Sequence, residues 1–323
     1  MASIETAAPR GATFSEYYGR IVDNIERVIQ GKRDVIEQVL LCLVSDGHLL
    51  LEDVPGVGKT NLAKSLATSI ECSFGRVQFT PDLLPSDVVG LTVWNRGDNS
   101  FDFRPGPVFN NIVLADEINR ASPKTQAALL EAMAENQVTV DGVTYPLSPP
   151  FMVIATQNPI EHEGTYPLPE SQLDRFLMRV SVGYPSPHAE LEILDAHGDH
   201  DPFADLGPVV TSADIGRLAH ATRQVHVAPS LKAYLVDVAQ ATRRSSHLAL
   251  GVSPRATLAL QRVAKARAAA EGRGYVIPDD VKALAVPVLA HRLIVTPEAQ
   301  LQGISPADAL AEVLRAVPVP GGH

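Results

Sequence analysis

Residues 48–67 read HLLLEDVPGVGKTNLAKSLA, an apolar run, a loop with two glycines, then a helical pattern, with Lys59 and Thr60 at the joint. A loop that holds phosphates needs backbone N–H groups turned inward and a helix N-terminus aimed at the anion. Gly56 and Gly58 can take positive φ and permit close approach. Lys59 is placed to reach β- and γ-phosphates, and Thr60 can offer its hydroxyl to Mg²⁺. Pro55, Val57 and Asn61 complete the candidate cradle. One position departs from the general pattern G-x-x-x-x-G-K-S/T, which has glycine where this chain has Asp53. Taken alone, the segment could be a plain strand–turn–helix joint.

A second segment, NIVLADEINRA at 111–121, is an apolar run ending in Asp116 and Glu117. Two carboxylates are costly there unless they face a cleft. Asp116 is suited to hold hydrated Mg²⁺, and Glu117 to orient and deprotonate an attacking water. A third run, FMVIATQNPIE, ends in Asn158, which could position that water or simply form a turn before Pro159. Lys59, Asp116, Glu117 and Asn158 would then share the carboxyl edge of one sheet, where parallel sheets bind ligands. Nucleotide hydrolysis is the chemistry these residues support. HGDHD at 197–201 lacks a second ligand pair and reads as a solvated turn rather than a metal site.

The elements that must position these groups follow from periodicity. Apolar runs at 48–53, 75–80, 111–117, 151–158 and 176–185 show little in/out alternation, as in a sheet covered on both faces. Helical patterns lie between them, including one with Val35, Val39 and Leu43 in phase and one opened by Ser122 and Pro123. Strands alternating with helices predict a parallel α/β domain over residues 1–186. Helical patterns then dominate residues 187–323, where Ser253-Pro254 puts Arg255 in the first turn of a helix. Residues 137–147 alternate and turn at Asp141-Gly142, a hairpin signal. The ends, 1–11 and 318–323, are expected to be disordered.

The 323 residues suffice for about two domains. No window approaches the roughly 18 apolar residues of a membrane span, and the N-terminus lacks a secretory pattern. The two cysteines, Cys42 and Cys72, sit in or beside apolar patterns and read as small hydrophobes. A soluble, cytoplasmic protein is expected. Residues 1–186 hold 14 Lys+Arg against 23 Asp+Glu, a net of −9 within a whole-chain −10. Nucleic-acid binding usually shows the opposite field.

The order GVGKT, VLADEINRA, ATQNP, LPESQLDRF and GVSPRA resembles AAA+ ATPases, and specifically the MoxR family, from about Ile21 to the last helix. In that family DVPGVGKT is the usual phosphate loop, so Asp53 is no objection. The resemblance implies a P-loop αβα domain followed by an all-helical lid, binding ATP and Mg²⁺. It implies that Asn158 is the sensor 1 residue, Arg175 the arginine finger toward a neighbouring subunit, and Arg255 the sensor 2 residue of the lid. Val28, Ile29 and Gly31 match the stretch bordering the adenine, and Arg120 is a weaker candidate for reaching across subunits. Arg179 reads as a surface ion pair. Residues 90–109 look like the hairpin that interrupts a helix in this clade, and the hairpin 137–147 faces the ring's central channel there. A homo-oligomeric ring of six, a protein client and a partner with a von Willebrand factor A domain are implied, while the acidic balance and the cation-free hairpin 137–147 argue for no nucleic acid. The implied action is chaperone-like remodelling of the client or metal insertion into it. A nucleic-acid motor of the same clade and a nucleotide-dependent binding switch are the alternatives. Lys59 is expected to be a surface cation until nucleotide arrives, and Val138, Val140, Val143 and Tyr145 are expected to meet a polypeptide.

Overall fold

The computed structural model describes residues 13–158, 165–185 and 205–320, with a few isolated positions between 187 and 203. The expected domain boundary near 186 and the HGDHD turn fall outside these, as do residues 1–12 and 321–323.

Five strands form one parallel sheet: β1 (Leu49–Glu52), β2 (Phe74–Gln78), β5 (Ile112–Asp116), β8 (Met152–Gln157) and β9 (Met178–Val180), in the order β2-β5-β8-β1-β9. The remaining strands of this part form two hairpins, β3 (Gly90–Asn95) with β4 (Ser100–Pro105) and β6 (Gln137–Val140) with β7 (Val143–Pro146). The continuous apolar runs have a direct cause. Leu49, Leu51, Ile112, Leu114 and Ile154 belong to the core on one face of the sheet. Leu50, Val113, Ala115, Val153 and Ala155 belong to the core on the other. Both sets are buried, so alternation is lost.

Helices α1 (Phe14–Glu26), α2 (Arg33–Val44) and α3 (Lys59–Ser69) contribute to the first core, and α5 (Pro123–Glu135) to the second; the short α4 (Pro85–Val89) leads into the β3–β4 hairpin. The Ser122 side chain accepts from Thr125 N–H to cap α5, with Pro123 at its first position. Asp141 and Gly142 both take positive φ, the geometry a two-residue hairpin turn requires. The later chain is a helical lid, with helices Ser212–Gln224, Pro229–Arg244, Pro254–Ala270, Pro278–Leu289 and Pro306–Ala316. Its apolar faces join the first core, so lid and sheet are packed together. Cys42 is buried, Cys72 partly so, and both are free.

Candidate functional site

Gly58 ends the loop after β1 in the left-handed region, with φ +88, and is the N-cap of α3. Gly56 is also left-handed, with φ +87, and no atom lies within 4 Å of where a Cβ would stand on either. The open space is therefore toward the cradle, and a helix N-terminus points its free N–H groups there. Lys59 Nζ donates to the Asp53 carbonyl at 2.9 Å and is partly buried. It is thus held over the loop rather than standing as the surface cation expected from the sequence.

One cavity of about 400 Å³ is lined by Pro55, Gly56, Gly58, Lys59, Thr60 and Asn61, together with Asp116, Glu117 and Asn158. The structure therefore brings together three strand ends that are far apart in sequence. The register explains it: β1 pairs β8 with Glu52 beside Gln157, and β5 ends beside β8 at Ala115 and Ala155. Asn158 is 7% exposed. Glu117 sits at φ +55, a left-handed conformation unusual for a non-glycine residue, at the turn where β5 gives way to a 3₁₀ segment.

Three residues the sequence did not single out complete the arrangement. Thr156, fully buried, accepts from Glu117 N–H at 2.8 Å and donates to Asp116 Oδ1 at 2.6 Å. Gln78 Nε2 donates to Glu117 Oε2 at 2.8 Å, and Arg76 pairs with Asp116 Oδ2 at 2.7 Å. Gln78 lies beside Asp116 in the β2–β5 register. The available signal was polar residues two apart on β2, but only the strand order shows what they face. Arg120 pairs with Glu117 at 3.0 Å within the same chain. Arg179 pairs with Glu52 at 2.9 Å, as its reading as an ion pair anticipated.

Thr60 and Asp116 lining one cavity suits a Mg²⁺ ion held partly by phosphate oxygens and water. Among the described residues no group of three or more His, Cys, Asp or Glu could hold a metal by itself. The ion would meet Asp116 in competition with the Arg76 guanidinium.

Other expected site residues lie elsewhere. Ile29 is buried, and Val28 and Val57 pack against the same core, while Gly31 occupies the α1–α2 turn at φ +67; none of the four lines the cavity. Arg175 and Arg255 line a second cavity of about 340 Å³, with Asp174, Arg262 and Arg292. Arg175 Nη1 donates to the Leu130 carbonyl at 2.8 Å. Asp174 stands 3.6 Å from Arg255 and 2.8 Å from Arg292. Arg292 is buried, which lowers its pKa, and it donates to the Val288 and Phe176 carbonyls at 2.6 and 2.7 Å. Arg255, expected as the sensor 2 residue of the lid, lines this second cavity beside Arg175 and not the first.

The hairpins also differ from expectation. Val138 is buried and Tyr145 stacks on Phe103 with ring centroids 4.1 Å apart, leaving Val143 half exposed. The exposed aromatic pair is instead Trp94 and Phe101 on β3–β4, 4.8 Å apart edge to face.

The family described as "ATPase family associated with various cellular activities (AAA)" matches residues 48–178, and the AAA lid domain matches 240–313. The chain is 51% identical to the uncharacterized protein YeaC of Bacillus subtilis over 94% of each chain. It is 44% identical to chaperone MoxR1 of Mycobacterium tuberculosis, over 93% of this chain and 82% of that one. A crystal structure from Cytophaga hutchinsonii, of a protein assigned as an ATPase, superposes with a TM-score of 0.89 at 39% identity, covering 95% of this chain and 96% of that one.

Proposed function

Because the chain belongs to the MoxR family of AAA+ ATPases, we propose that it hydrolyses ATP with Mg²⁺ to remodel a protein client or to mature it by metal insertion. It does so in the cytoplasm as a six-membered homo-oligomeric ring, working with a partner that carries a von Willebrand factor A domain. The observation that carries the ATPase reading is the convergence of Lys59, Thr60, Asp116, Glu117 and Asn158 on one cavity.

The proposed roles follow from chemistry. Gly56, Gly58 and the α3 N-terminus bind phosphate oxygens through N–H groups, and Lys59 leaves the Asp53 carbonyl for the β- and γ-phosphates. Thr60 and Asp116 would hold Mg²⁺, which would supply charge neutralisation at those oxygens. Glu117 takes a proton from the attacking water, while Thr156 fixes its backbone and Asn158 orients the water. Val28, Ile29 and Gly31 border the adenine. Arg175 reaches the γ-phosphate of a neighbouring subunit and stabilises charge that develops in the transition state, and Arg255 serves as the sensor 2 residue of the lid. The exposed Trp94–Phe101 pair on an acidic N-terminal domain suits apolar polypeptide better than a phosphate backbone.

Two variants test the assignment. Lys59→Ala should lose ATP affinity with the fold intact, read by calorimetry and thermal melting. Glu117→Gln should bind ATP normally and turn over at least ~10²-fold slower. Hydrolysis at the parent rate by the glutamine variant would remove Glu117 from the role of base.

A further inference from the structure

Asp53 stands where the general phosphate-loop pattern has glycine, yet its φ is not in the left-handed region, so no backbone need explains the choice either way. Its hydrogen bonds do. The carboxylate accepts from the Val182 N–H, from Gly183 N–H at 3.2 Å and from Ser181 Oγ at 3.0 Å. Its backbone N–H donates to the Gln157 carbonyl at 3.2 Å, and its own carbonyl receives Lys59 Nζ. The residue is 8% exposed. One side chain thus ties the start of the phosphate loop to the segment leaving β9, and the same residue parks the loop's lysine. That segment is gripped again from the start of α2, where Lys32 Nζ donates to the Tyr184 carbonyl at 2.7 Å.

We propose that Asp53 is a positioning residue for nucleotide binding: its carboxylate fastens the phosphate loop to residues 181–183, so that the cradle is already shaped when phosphates arrive. Two N–H donors and a hydroxyl around one buried carboxylate make a directional anchor, since charge-assisted bonds are the strong ones. Without it, part of the binding energy of the phosphates is spent on ordering the loop. A cost of that kind weakens binding of ground state and transition state alike, so it raises KM with little change in kcat. This inference rests on the cradle binding nucleotide, as proposed above.

The test uses the full-length protein with MgATP and MgADP in Asp53→Asn, Asp53→Gly and Ser181→Ala variants. Asp53→Gly is the sharpest, because it restores the general motif and pattern alone would expect it to be harmless. We expect KM for ATP, and Kd for ADP by calorimetry, to rise about ten-fold or more in Asp53→Gly, with kcat within about three-fold. Asp53→Asn keeps one acceptor oxygen and should fall between parent and glycine, and Ser181→Ala should show a smaller rise. If Asp53→Gly does not fold, the asparagine and Ser181 variants still carry the ordering. A lowered melting temperature with KM and Kd unchanged would make Asp53 purely structural and overturn the proposal, as would a kcat loss without a KM change. Lys59→Ala is measured beside them. If it loses ATP while the Asp53 variants keep parent KM, the positioning role alone fails; if it binds ATP as the parent does, the cradle assignment fails.

Discussion

If Arg175 serves a neighbour's nucleotide, removing it should disable every active interface while leaving each subunit able to bind ATP. Arg175 lines a different cavity from Lys59, and its guanidinium is spent on the Leu130 carbonyl within its own chain. Losing that one hydrogen bond costs about 1 kcal/mol of stability, so Arg175→Ala should melt only a little below the parent. Losing a cation at the transferring phosphoryl group is far larger, ~10³-fold or more in turnover. Mixing separates the two effects. In an equal mixture of Lys59→Ala and Arg175→Ala subunits, a working interface needs an intact cradle from one and an intact arginine from the other. Random head-to-tail assembly gives about a quarter of the interfaces that combination. Steady-state phosphate release should therefore recover to roughly a quarter of the parent rate, from two preparations that are each nearly inactive. Specific activity of the parent should also rise with protein concentration. No recovery on mixing, together with concentration-independent activity, would place Arg175 in a structural role.

Burial pushes the His48 imidazole down to about 4 and that of His291 to about 3, the latter helped by the neighbouring Arg292 charge. Both stay neutral in the folded chain while unfolded imidazoles, near 6.5, take up protons. Stability should be full above about pH 7 and fall steadily as pH drops from about 6.5 toward 4. Urea midpoints across that window should show the slope, and His48→Gln should flatten it; a midpoint independent of pH would refute the linkage. For nucleic acid, single-stranded DNA, duplex DNA and RNA should bind weakly at low salt, lose that binding as salt rises, and leave the ATPase rate unchanged. Stimulation that survives physiological salt and disappears in Arg96→Ala with Arg104→Ala would make this chain a nucleic-acid motor.

Asp116, Glu117 and Asn158 were legible because each lies where an apolar run stops, and Lys59 because it follows a glycine-bearing loop after such a run; burial of both sheet faces makes the runs conspicuous. Arg76, Gln78 and Thr156 were not. Their relevance depends on β2 lying beside β5 and β5 beside β8, an order that strand patterns do not encode. Arg255 was legible as a first-turn residue of its helix, capped by Ser253, while its spatial neighbours were not. Its position depends on how the buried Arg292 and Asp174 lock the lid to the segment bearing Arg175. The alternating hairpin 137–147 was found by its turn chemistry. The face it exposes was misjudged, because Tyr145 is taken up by Phe103 of the other hairpin.

The two cavities also bear on how copies can meet. Arg175, Arg255, Arg262 and Arg292 face Asp46 and Asp174 in the second cavity, an excess of two positive charges. The first cavity balances Lys59 and Arg76 against Asp116 and Glu117, and becomes strongly negative once a nucleoside triphosphate enters. A two-fold contact built on the arginine face would set like charge against like charge, and one built on loaded cradles would do the same. A head-to-tail contact can bring arginines to phosphates, and contacts of that kind close into rings when the rotation between copies permits. In the proposed ring such an interface would draw part of its attraction from the bound triphosphate. Hydrolysis and phosphate release would then weaken that contact, giving each subunit a way to pass the state of its nucleotide to the next.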